Sequence, residues 1–111
     1  MISQTLAQEV SQLEADLCFA LADPTRILIL YALDERPRNV TEITAELHIS
    51  QPTTSRHLKI LRERSLVHTE RQGTTITYHL SDKRLVDALD LLRSVLRDSI
   101  NRRASLMEEA E

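Results

Sequence analysis

The run Ser50-Gln51-Pro52-Thr53-Thr54-Ser55-Arg56-His57-Leu58-Lys59 concentrates the side chains best suited to chemistry in this sequence. Short polar groups near a helix N-terminus can approach base edges in the major groove of DNA. Gln51, Thr53, Thr54, Ser55 and His57 have that character. Cations and helix-end amides hold phosphates, and Arg56, Lys59 and Arg62 supply the charge. The same residues also suit an ordinary capped surface helix with a polar face. A second element weighs against that reading. Arg71 stands beside the tip of an expected hairpin, where it can touch phosphates or enter the minor groove. Thr41, Arg56, Lys59 and Arg71 are therefore expected on the DNA backbone, and the other five on bases. Catalysis is not expected. The only Ser/His neighbours, Ser55 and His57, have a DNA-contact reading, and no nucleophile motif or paired-carboxylate pattern is visible.

The elements that must position these residues follow from periodicity and caps. Leu6, Val10, Leu13, Leu17 and Leu21 form a helical stripe over residues 4–21. Asp23-Pro24 ends it and opens a second helix, with Asp as cap and Pro in the first turn. Ile27, Leu28, Leu30, Tyr31 and Leu33 make that helix the expected buried centre. A third, short helix opens at Val40-Thr41 with Thr41 as its cap, and His48-Ile49 is a turn. Ser50 caps a fourth helix, giving a helix-turn-helix over about 41–64. The period then changes to that of strands, Val67–Arg71 and Thr75–Leu80, around Gln72-Gly73-Thr74. This hairpin, about 66–80, is an expected wing. Ser81 caps a last helix over about 82–108 with two apolar lines. One line runs through Leu85, Leu89, Leu92, Leu96, Ile100 and Met107, the other through Val86, Leu91 and Val95. Two lines need two surfaces to bury against, the domain itself and a partner chain. The expected fold is mainly α (α+β): one winged helix-turn-helix domain over 1–111, with a two-stranded wing and long N- and C-terminal dimerisation helices. The expected dimer interface comprises Leu6, Val10, Leu13, Leu17, Leu89, Leu92, Leu96 and Ile100.

Composition sets the outer bounds. The 111 residues suffice for one domain with a modest core, which leaves room for an oligomer. Aromatic residues are 3% of the chain, so the core must be aliphatic. The single glycine, Gly73, excludes a Gly-rich phosphate loop. The single cysteine, Cys18, excludes an internal disulfide and a Cys-rich zinc module. No signal-peptide pattern and no 18-residue apolar stretch is visible, so a cytoplasmic protein with no membrane partner is expected. The net charge of −3 hides an uneven distribution. Residues 1–35 carry one Arg against six acids, residues 36–72 seven cations against four acids, and residues 73–111 six against seven. A basic middle between acidic flanks is the electrostatic footprint of a nucleic-acid binder.

Three blocks resemble one known family. Ala20-Leu21-Ala22-Asp23-Pro24-Thr25-Arg26, followed by Ile27-Leu28-Ile29-Leu30, looks like the opening signature of ArsR/SmtB-type transcriptional repressors. Ser50 to Arg62 resembles that family's recognition helix, and Arg71-Gln72-Gly73 through Tyr78-His79-Leu80 its wing. The resemblance covers about residues 15–96. It implies a homodimer built from the first and last helices, a palindromic operator in double-stranded DNA, and release on a signal.

Many members of that family sense metals, and the usual ligands are missing here. The stretch matching a Glu-Leu-Cys-x-Cys site reads Glu46-Leu47-His48-Ile49-Ser50, without thiolates. The last helix has no histidine and retains only Asp87, Asp90 and Asp98, a poor donor set for zinc or nickel. His68 and His79 fall on strands expected to pair. Two imidazoles without a third ligand seldom make a strong site, so a surface contact is the plainer expectation. Cys18 beside Leu17 is expected to be a buried small hydrophobe, with a redox switch as the alternative. No cofactor and no metal are assigned, and the inducer is unidentified. Alternative functions are a metal-responsive repressor with a non-standard site and a winged-helix module that docks proteins.

Overall fold

Asp23 and Pro24 open the helix around which everything else packs. The Asp23 carboxylate accepts from the backbone amides of Thr25 (2.8 Å) and Arg26 (3.3 Å), and Pro24 takes a first-turn position where no amide is needed. A computed structural model describes residues 1–110. It runs α1 (Gln4–Leu13), a π-helical turn (Glu14–Cys18), α2 (Phe19–Leu21), α3 (Pro24–Glu35), α4 (Val40–Leu47), α5 (Gln51–Glu63), β1 (Val67–Gln72), β2 (Thr75–Leu80) and α6 (Lys83–Ala110). This is the expected mainly helical winged helix-turn-helix with a two-stranded antiparallel hairpin and a long C-terminal helix. The first helix winds without a break from Gln4 to Leu21, as expected, and carries one π turn just before the signature block.

The core is aliphatic, as so few aromatic residues require. Ile29, Leu30 and Leu33 of α3 meet Ile43 of α4, Leu58 and Leu61 of α5, and Leu66 and Val67 at the start of the wing. Ala20 and Leu89 close the cluster from the two ends of the chain. Leu89 is therefore corrected from interface residue to core residue. It shares the inward face of α6 with Val86, which lies one turn before it. Leu17 also packs against the core and is only half-buried, so it stands at the edge of the outer stripe.

Two caps differ from expectation. Asn39, not Thr41, caps α4. Its side chain accepts from the Glu42 amide (2.8 Å) while the Glu42 carboxylate accepts from the Asn39 amide (3.1 Å), a reciprocal capping box. Asp82, not Ser81, starts α6, accepting from the Arg84 amide at 2.9 Å. The Ser81 amide instead donates to Leu66 O and joins the hairpin's two ends. Between α4 and α5 the chain turns at His48, in the left-handed region at φ 54°.

The hairpin pairs Val67 with Leu80, His68 with His79 and Arg71 with Ile76. Gly73, at φ 64°, serves the two-residue turn. An additional backbone pair, Arg38 with Tyr78, attaches the α3–α4 connection to β2 (Tyr78 N to Arg38 O, 2.8 Å). At its base α6 is tied to α3 by Tyr31 Oη donating to Asp90 (2.6 Å) and by Lys83 to Asp34 (3.1 Å).

The outer lengths of α1 and α6 stand away from this core. α1 buries no residue. Among the described residues of α6, only Val86 and Leu89 are buried. The radius of gyration is 17.6 Å, against about 13 Å for a compact chain of this length. Replacing the true cap, Asn39→Ala, should cost about 1 kcal/mol in urea unfolding. Thr41→Ala, at an exposed position, should stay within about 0.5 kcal/mol of the parent.

Candidate nucleic-acid interface

The 3.6-residue period of α5 sorts its side chains into two sets. Thr54, His57, Leu58 and Leu61 turn inward and are buried. Gln51, Ser55, Arg56, Lys59 and Arg62 turn outward and are exposed. Ser50 caps the helix by accepting from the Thr53 amide (3.2 Å), and its hydroxyl also donates to Thr53 Oγ1 (2.8 Å). Thr53 is thus half-buried, with its hydroxyl engaged in the cap.

Thr54 and His57 are corrected as base-contact candidates. Thr54 is completely buried; its hydroxyl donates to Ser50 O (3.0 Å) and meets Thr44 Oγ1 at 2.9 Å across the helix pair. That bond fixes the two helices of the helix-turn-helix against each other. His57 is 6% exposed, with Nδ1 3.3 Å from Arg26 Nη1. Arg26 can only donate, so Nδ1 must be the acceptor and the imidazole must be neutral.

Arg26 is the residue whose role sequence reasoning missed. Its guanidinium is buried and donates to Ala20 O (2.7 Å) and Phe19 O (3.2 Å), two carbonyls of α2. Asp23 lies 3.9 Å away, and the Phe19 ring faces the same group at 5.9 Å. The available signal was its isolation: it is the only cation in residues 1–35. Burial pushes His57 below its ordinary pKa, with Arg26 and Arg56 adding to that effect against the pull of Asp23. Burial works to raise the Asp23 carboxyl, but the Thr25 and Arg26 amides and the nearby cations hold it below the usual range.

The basic middle of the chain divides in the same way. Arg38 is buried, donates to Ala32 O (3.0 Å), and pairs with Glu35 (2.8 Å) and Glu46 (3.4 Å). Arg36 pairs with Glu42 at 2.8 Å. Arg64 stacks over Phe19 at 4.2 Å. Those three serve the fold. Among the described residues Arg56 and Arg62 meet no carboxylate, and Lys59 has only Glu63 at 3.9 Å. Arg71 stands exposed on the wing with Nε donating to Gly73 O (3.3 Å), and Thr41 is exposed on the first turn of α4. The helix-turn-helix and wing thus leave an outward set of four cations beside Gln51 and Ser55.

The remaining candidates are placed as follows. Leu6, Val10, Leu13, Leu92, Leu96 and Ile100 are all exposed, and so are Leu91 and Val95. Cys18 is exposed, contrary to the buried thiol expected. It follows Leu17 in the π turn, and one residue of helix turns it off the inward stripe.

A helix-turn-helix with an adjacent hairpin and a cationic outer helix defines a winged-helix DNA-binding protein. Residues 23–69 match the family model described as bacterial regulatory protein, arsR family. The transcriptional repressor SmtB of Mycobacterium tuberculosis is 38% identical over 94 residues, which cover 84% of this chain and 70% of that one. The structure of NolR from Sinorhizobium fredii aligns with a TM-score of 0.73 at 30% identity, over 86% of this chain and 94% of that one. A homodimeric winged helix-turn-helix DNA-binding domain from Mycobacterium bovis aligns with a TM-score of 0.75 at 26% identity, over 91% and 93%. The chain belongs to the ArsR family of bacterial regulatory proteins. It is a DNA-binding transcriptional regulator and not an enzyme. Among the described residues, no helix is long and apolar enough to cross a membrane.

The buried His57 gives stability a pH dependence with a definite sign. Its folded pKa lies below its unfolded one. As pH falls through the ordinary histidine range, the unfolded chain takes up a proton that the folded one refuses, so stability drops. His57→Gln retains a carbonyl acceptor for Arg26 without a titratable ring. Urea unfolding at pH 7.5 and 5.5 should show a smaller loss for His57→Gln than for the parent; equal losses would refute the neutral, buried imidazole.

Proposed function

We propose that this regulator is a homodimeric repressor that binds a palindromic operator in double-stranded DNA and leaves it in response to a signal. The observation that carries the reading is the outward face of α5, where Gln51 and Ser55 lie beside Arg56, Lys59 and Arg62, all exposed. Gln51 and Ser55 read base edges in the major groove, with Thr53 adjoining them at the cap. Arg56, Lys59, Thr41 and the wing's Arg71 hold phosphates.

The dimer rests on uncovered apolar surface. Leu6, Val10 and Leu13 of α1 and Leu92, Leu96 and Ile100 of α6 are each about half exposed or more in one chain. The first ten residues of this N-terminal helix bury nothing in one chain, so its apolar stripe needs a second surface. A second copy of the chain, sharing the same face, supplies it by two-fold symmetry. That symmetry sets the recognition helices about 34 Å apart, one turn of DNA, and matches a palindromic operator.

Fluorescence anisotropy with the chain's own upstream DNA, at several salt concentrations, tests the DNA contacts. Arg56→Ala and Lys59→Ala should weaken binding to every sequence and reduce the salt slope by about 1 each. Gln51→Ala and Ser55→Ala should instead relax preference at one base by about 1–3 kcal/mol, with the salt slope unchanged. An unchanged slope for Lys59→Ala would remove that residue from the phosphate set.

The assembly has its own test in sedimentation. The double variant Leu92→Glu, Leu96→Glu places charges in the shared face. It should sediment as a monomer and lose operator affinity while keeping the helical circular dichroism of the folded core, less at most the share of α1. A dimer that survives these charges would place the interface elsewhere.

A further inference from the structure

The wing carries a group of side chains that the DNA contacts leave unused. His68 and His79 are direct cross-strand partners, so both imidazoles project from one face of the hairpin. Their rings stack with centroids 5.1 Å apart and planes inclined by 11°. Glu70 lies two residues beyond His68 on the same strand and therefore on the same face. Its Oε2 is 3.4 Å from His79 Nε2. One donor atom from each of the three residues falls within 4.8 Å of the other two. His79 Nε2 is itself buried and makes no hydrogen bond, although a carboxylate oxygen is near. Ser81 Oγ lies 3.4 Å from His68 Nδ1, giving one nitrogen of that ring a partner and leaving the other for a ligand.

We propose that His68, Glu70 and His79 form a site for a divalent transition-metal ion at the root of the wing. Two imidazoles and one carboxylate make a borderline donor set that suits zinc, cobalt, nickel or copper rather than magnesium or calcium. The site is a three-residue one with a fourth position open to water. Bonds of about 2.0–2.1 Å place tetrahedral donor atoms about 3.4 Å apart. The Glu70–His79 separation already has that value. The remaining closure is within reach of side-chain rotation, because the strand register holds the two histidines opposite one another. The sequence signal is His-x-Glu on one strand facing a His on the next. The histidine pair alone offers too few ligands, and Glu70 supplies the third. Occupancy would clamp β1 to β2 just below the segment that carries Arg71.

Cobalt(II) titration of the untagged full chain tests the site without DNA, so its outcome is independent of the operator reading. Saturation at one ion per chain is expected, with visible absorption of low-symmetry cobalt that zinc displaces. His68→Ala and His79→Ala should each weaken binding at least tenfold, and Glu70→Gln should weaken it measurably. His48→Ala, in the turn before α5, should leave it unchanged. All four positions are at least partly exposed, and circular dichroism checks that each variant is folded. Absence of saturable binding to the parent, or undiminished binding to the His68→Ala, His79→Ala double variant, would overturn the proposal. The three side chains would then be an ordinary stacked pair with an ion-pair neighbour.

Discussion

The buried guanidinium of Arg26 is the contact on which the geometry of the interface depends. A cation removed from water is costly unless its hydrogen-bonding groups are satisfied. Arg26 meets that demand by gathering Ala20 O and Phe19 O from α2, His57 from α5 and the Asp23 carboxylate at the head of its own helix. None of these partners can move far without leaving charge unsolvated. α5 is consequently held at a fixed orientation to α3 through His57, on the side opposite its exposed residues. The Thr44–Thr54 hydroxyl contact does the same between α4 and α5. Both polar bridges are internal, and they determine which side of α5 remains for a ligand.

The cations of the middle segment show why net charge is a poor guide to an interface. Arg38 and Arg36 are matched by Glu35, Glu46 and Glu42, and Arg64 lies flat on Phe19. Their charge is spent within the fold, joining α3 to α4 and the end of α5 to α2. What remains outward is smaller but better placed: Arg56, Lys59 and Arg62 along one helix and Arg71 on the hairpin. Charges spread along one helix and one hairpin can follow a phosphate backbone, whereas the same number scattered over a surface cannot.

The wing is held by more than its own pairing. Two-stranded hairpins are marginal alone. Here Val67 and Leu66 enter the core, Arg38 pairs with Tyr78 along the outer edge of β2, and the Ser81 amide closes onto Leu66 O. These contacts lock the register, and the register is what faces His68 with His79 and lets Glu70 reach them.

Local signals were enough for much of this protein. Asp23-Pro24, Ser50-Gln51-Pro52 and the lone Gly73 mark helix starts and a turn by their own stereochemistry, and the 3.6- and 2-residue periods identify the elements between them. The helix-turn-helix, the wing and the outward Gln51, Ser55, Arg56 and Lys59 were legible for that reason. Other features depend on which neighbours arrive from far along the chain. Thr54 and His57 look like surface polar residues until Thr44 and Arg26 cover them. Leu89 looks like one more rung of an outer stripe until the α3 core takes it. The cap of α4 is the exception, because Asn39 outcompetes Thr41 through a local signal, the Asn-x-x-Glu box that Glu42 completes three residues on. Glu70 becomes a ligand candidate only when strand pairing sets His79 beside it. Sequence determines propensity and period, which are local properties; burial and convergence belong to pairs of residues and exist only once the chain has folded.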